Sequence, residues 1–94
     1  MSEQKVDQAA EILKLIAHPI RIRIILALAG QSTMNVTALQ QHLQVDTSLL
    51  SHYLTKMKDH KLLQSVRQGK EMYYSLANDD LTKAVMLLLD RERE

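Results

Sequence analysis

Seven residues between positions 47 and 58 have the chemistry of a surface that reads hydrogen bonds. Thr47, Ser48, Ser51, His52 and Thr55 bring hydroxyls and an imidazole, and Lys56 and Lys58 add positive charge. No acid lies among them, although Asp46 and Asp59 flank the run. Between them, Leu50, Tyr53, Leu54 and Met57 fall at i, i+3, i+4 and i+7, the spacing of one helix face. The polar set is left on the opposite face. Hydroxyl and imidazole groups can pair with base edges in the major groove of double-stranded DNA, and ammonium groups with its phosphates. The same residue types also cap helices and face water. Their clustering opposite Leu50 and Leu54 favours the DNA reading.

Such a helix needs elements that hold it. Leu39 and Leu43, four apart, mark a short helix before it, and Gln44-Val45-Asp46 makes the turn. The pair reads as a helix-turn-helix over Leu39–Met57, with the recognition helix at about 47–59. Asp46 or Thr47 can cap that helix. After His60, two β-prone runs flank Gly69, a hairpin signal that places a wing at about 63–76. Met72, Tyr74 and Leu76 alternate with Glu71, Tyr73 and Ser75, as in a half-buried strand. The hairpin tip carries Arg67, Gln68 and Lys70.

Upstream, Val6, Ala9, Ala10, Leu13, Ile16 and Ala17 form a helical stripe over about 6–17. Pro19 starts a second helix, and His18 is its start residue. That helix is expected to end at Gly30. Met34-Asn35-Val36 is either a very short strand or an extended lead-in. Thr37 stands where an N-cap belongs. The last helix, about 81–91, shows Leu81, Ala84, Val85 and Leu88 on one face, with Met86, Leu87 and Leu89 widening it. A terminal helix this apolar calls for burial on more than one side.

Ninety-four residues make a single domain, 1–94, with a modest core: 46% of residues are apolar and the only aromatics are three tyrosines. Small domains of this kind often lean on a partner subunit. The formal net charge is +1, but residues 47–70 carry Lys56, Lys58, Lys61, Arg67 and Lys70 against Asp59 alone, a local +4. That is where phosphate contacts would need it. A solvated basic face is the plain alternative. Arg21 and Arg23 either contact phosphate or hold acids of the chain. There is no cysteine, which removes disulfides and thiolate sites. The N-terminal MSEQKVDQ is not a signal peptide, and no apolar run is long enough to cross a membrane, so a cytoplasmic location is expected.

Helix, helix, short helix, recognition helix, hairpin, helix is the order of a winged helix-turn-helix, mostly α with a small β-hairpin wing. At this level the sequence resembles the ArsR/SmtB bacterial repressors. Ala17-His18-Pro19-Ile20-Arg21-Ile22-Arg23-Ile24-Ile25 is similar to that family's second helix. Asp46-Thr47-Ser48-Leu49-Leu50-Ser51-His52-Tyr53-Leu54 is similar to its recognition signature, with Asp46 and Tyr53 as departures from the usual Ser/Thr and His. Arg67 to Leu76 is similar to its wing. The resemblance covers about residues 6–90. It implies a homodimer joined by the first and last helices, with Val6, Ala9, Leu13, Leu81, Val85 and Leu88 at the interface. It further implies repression by occupying a palindromic operator, relieved by an effector.

The family's usual metal sites use cysteines, or Asp, His and Glu on the last helix. Here cysteine is absent, and Asp79, Asp80, Asp90, Glu92 and Glu94 have no histidine beside them. Carboxylates alone suit zinc poorly. No metal and no cofactor is therefore expected, and the effector stays unknown. His42 and His60 read as exposed polar residues. An enzyme is not expected, because no nucleophile–base pair or phosphate loop is present. The remaining alternative is a winged helix used for protein contacts without DNA readout, against which Arg67 and Lys70 argue.

Overall fold

The computed structural model describes residues 2–91. Glu92 and Glu94, counted above among the acids of the last helix, lie outside them. The first helix, α1 (Glu3–Ile16), is capped by Ser2, whose hydroxyl accepts from the Lys5 N–H at 3.1 Å. The second, α2 (Pro19–Gln31), starts at the proline as the missing N–H allows. It does not end at Gly30. The helix runs through that glycine and stops at Ser32, whose φ of 72° forms a γ-turn with the Thr33 N–H bonded to the Gln31 carbonyl. The Ser32 N–H closes on the Leu28 carbonyl, so the reversal falls two residues beyond the glycine.

Next comes β1 (Met34–Asn35), a true strand of two residues, then α3 (Val36–Leu43). The cap of α3 is Asn35, not Thr37. Its Oδ1 accepts from the Ala38 N–H at 2.8 Å, because the strand hands over directly to the helix and Thr37 is already in the first turn. The chain continues with α4 (Thr47–Asp59), β2 (Leu63–Gln68), β3 (Glu71–Leu76) and α5 (Asp80–Asp90). The sheet is antiparallel in the order β1-β3-β2, with Met34 opposite Tyr74 and Ser65 opposite that same tyrosine from the other side.

Every helix contributes to one core. Ile24, Ile25 and Leu28 from α2 meet Leu39 from α3 and Leu50, Leu54 and Met57 from α4, all essentially without solvent access. Leu15 and Ile16 come from α1, Leu63 from β2 and Val85 from α5. Among the described residues no polar or charged residue is buried. The arrangement is a winged helix, mostly α with a three-stranded sheet, in which β1 braces the wing against the body of the domain.

Candidate nucleic-acid interface

The pair α3–α4 is fixed at its turn by local hydrogen bonds. Gln44 ends α3 in left-handed geometry, φ 57°, and its side-chain amide donates to the Gln41 carbonyl. Gln40 reaches across to donate to the Val45 carbonyl at 3.2 Å. Asp46 then caps α4, its carboxylate accepting from the Leu49 N–H at 3.1 Å. A carboxylate here complements the helix dipole. The turn is thereby set by side chains that also orient α4.

Leu50, Tyr53, Leu54 and Met57 are all buried and make the back of α4. Thr47, Ser48, Ser51, His52, Thr55, Lys56 and Lys58 are all exposed. The helix therefore keeps its hydrogen-bonding groups free on one side while its apolar groups are consumed within the chain. One residue on the open side was not singled out from the sequence: Leu49, 39% exposed in the first turn. Its signal was present, since it falls outside the i, i+3, i+4, i+7 set. An apolar side chain at this place in a recognition helix suits the methyl group of thymine.

Tyr53 ties α4 to the start of α2. His18 caps α2 with Nδ1 accepting from the Ile20 N–H, and its Nε2 lies 3.2 Å from the Tyr53 hydroxyl. With Nδ1 accepting, the neutral ring carries its proton on Nε2 and donates it to the tyrosine oxygen. The Arg21 guanidinium stacks 4.6 Å from the centroid of the same tyrosine ring and donates to the Leu15 carbonyl. Arg21 is thus engaged inside the chain and pairs with no described carboxylate, which corrects the expectation that it holds an acid of the chain. Arg23 is exposed, beside Leu26, Ala27, His42 and Leu43.

At the wing, Gln68 pairs with Glu71, leaving Gly69-Lys70 as a two-residue loop. Gly69 has φ +63°, a conformation that any side chain would strain, and its position suits a type II′ hairpin turn. Arg67, Gln68 and Lys70 are exposed at this tip. Val66, on the same strand, is 60% exposed.

The six residues assigned from sequence to a dimer contact are placed unequally. Val85 is spent in the chain's own core, and Leu81 is half-buried. Val6, Ala9, Leu13 and Leu88 are exposed. Leu13, Ile16, Ala17, Ile22, Val85, Leu88 and Leu89 line an apolar hollow of about 200 Å³ between α1 and α5. Among the described residues no cluster of three or more His, Asp or Glu side chains is placed to hold a metal ion. No described helix is long and apolar enough to cross a membrane.

The family described as "Bacterial regulatory protein, arsR family" matches residues 18–65, from the cap of α2 into the wing. The transcriptional repressor PagR of Bacillus anthracis is 39% identical over 82 residues, covering 87% of this chain and 82% of that protein. A transcriptional repressor SmtB homolog of Synechocystis is 32% identical over the whole chain, covering 70% of that protein. The crystal structure of PagR superposes with a TM-score of 0.81 at 37% identity, covering 93% of this chain and 99% of that one.

Proposed function

The chain belongs to the arsR family of bacterial regulatory proteins, and from that premise we propose a repressor that binds a palindromic operator as a homodimer. The observation that carries the DNA reading is α4: an apolar back wholly consumed in the core and an exposed front of Thr47, Ser48, Ser51, His52 and Thr55. Base edges would be met by Ser48, Ser51, His52 and Leu49, and phosphates by Lys56 and Lys58. Arg67, Gln68 and Lys70 would follow the backbone or enter the adjacent minor groove. Two copies related by a two-fold axis, joined through α1 and α5, would present two such helices to half-sites about one helical turn apart. Such a regulator acts on cytoplasmic DNA. Its relatives are transcriptional regulators, not enzymes.

The test is fluorescence anisotropy with a duplex taken from upstream of the protein's own gene, repeated across a salt series. Binding should be specific and should weaken steeply as salt rises. Absence of any salt-sensitive binding to promoter duplexes would favour a winged helix that contacts protein instead.

A further inference from the structure

A cleft of about 380 Å³ opens where the last turns of α1 and α4 meet the first turn of α2. Its walls are Glu11, Lys14, Leu15, Arg21, Lys56 and His60. That volume is within the usual range of small-molecule sites, ~300–1,000 Å³. Four of the six walls are basic and one is acidic. The ion pair found among the described residues is Lys83–Asp79, far from here in sequence, so no described carboxylate holds Lys14, Arg21 or Lys56.

Two of the basic groups are already fixed in place. Arg21 is held by the Leu15 carbonyl and the Tyr53 ring, and its Nε–H is buried with no hydrogen-bond partner among the described residues. A buried donor without an acceptor asks for an explanation. His60 is fixed by Nδ1–H donating to the Lys56 carbonyl at 3.0 Å, which leaves Nε2 free. Lys14 and Lys56 are long-stemmed cations brought to the cleft by α1 and α4. A preorganised guanidinium flanked by adaptable ammonium groups suits oxyanions.

We propose that this cleft binds a small organic or inorganic polyanion, of the kind presented by a di- or tricarboxylate or a phosphate ester. Resting on the repressor reading, the site also supplies a regulatory route. Lys56 belongs both to the cleft wall and to the DNA-facing side of α4, and Arg21 stacks on Tyr53 in the back of the same helix. An anion seated here draws Lys56 away from phosphate and puts negative charge at the C-terminal end of α4. Operator affinity then falls, and DNA weakens anion binding by the same factor.

The site is tested without DNA. Citrate and pyrophosphate are titrated separately into the isotope-labelled full chain at fixed ionic strength, and amide and arginine Nε–H signals are followed by NMR. The expected result is saturable shifts centred on Glu11, Lys14, the Arg21 Nε–H and His60 with at least one anion, which also tells carboxylate from phosphate. Lys14→Gln, an exposed change outside the DNA-facing set, should weaken that binding at least fivefold. Shifts that do not saturate, shifts centred on the Arg67–Lys70 tip, or an unchanged Lys14→Gln would overturn the site. The coupling is read separately: saturating anion should weaken operator affinity at least tenfold in the wild type, and the anion concentration giving half of that loss should rise at least fivefold in Lys14→Gln. Saturable NMR binding with unchanged operator affinity overturns the coupling and leaves the site standing. Loss of all operator binding instead strikes the repressor reading, while the NMR result still decides the cleft.

Discussion

Helices α4 and α5 are both amphipathic, and they dispose of their apolar faces in opposite ways. In α4 all four residues of the apolar stripe are buried within the chain. In α5 only Val85 is buried, while Met86, Leu87, Leu88 and Leu89 remain 47%, 69%, 59% and 47% exposed. Val6 and Leu13 on α1 add to that open apolar surface. The difference teaches where each helix looks for its partner. A helix whose back is satisfied can offer a polar front to a polar, charged surface such as DNA. A helix left apolar toward water gains from covering by another apolar surface, and a contiguous patch of this kind marks an interaction site. A second copy presents a matching one by symmetry.

The hardest blow to that contrast is Leu88→Glu. A charge on the open face should convert the proposed dimer to monomers, seen by sedimentation equilibrium, with far-UV circular dichroism unchanged. Operator affinity should fall about 100-fold or more as the two half-site contacts lose their linkage. A dimer that persists with full affinity would break the comparison. Next in size, Leu54→Ala on the hidden back of α4 should cost about 2–5 kcal/mol in urea unfolding, because Leu54 is fully buried. Ser51→Ala on the front sharpens the point. It should leave stability within about 0.5 kcal/mol of wild type while changing the preference between operator variants. Equal destabilisation by both changes would erase the distinction between front and back.

Smaller still, Arg67→Ala with Lys70→Ala should weaken binding to all duplexes and lower the salt slope by about 2, about 1 for each phosphate contact, with sequence preference kept. An altered preference in this double variant would move base reading onto the wing. The smallest effect lies away from both faces. Gly30 sits inside α2 in ordinary helical geometry, and a Cβ there would meet nothing within 4 Å. Gly30→Ala should therefore stabilise the fold by about 0.4–1 kcal/mol in thermal or urea unfolding, leaving DNA binding unchanged.

Much of this was legible in residue order. The i, i+3, i+4, i+7 spacing of Leu50, Tyr53, Leu54 and Met57 is a local property, and local geometry turned it into a buried face. The hairpin around Gly69 was legible for the same reason. What escaped depends on distant parts of the chain. A two-residue strand is too short to show any period, so the pairing of Met34 and Asn35 with β3 had no local signal. The cap of α3 moved to Asn35 as a consequence. Likewise, the His18–Tyr53 hydrogen bond joins residues 35 apart, and with Arg21 it forms a cluster that no spacing rule connects. Gly30 misled because a glycine near a helix end usually marks the reversal, whereas here Ser32 takes the positive φ. Leu49 carries no polar group, so the pattern of hydroxyls, imidazole and cations does not include it, although an apolar contact also reads bases.

The central claim is that the open α1/α5 face sets the spacing between two copies of α4 on DNA. Footprinting on the protein's own upstream DNA, with the stoichiometry of the same complex read by sedimentation velocity, tests it most directly. The expected result is two chains per site protecting an imperfect palindrome, with half-sites ~34 Å apart along the duplex. One chain protecting a single half-site at saturation would contradict it.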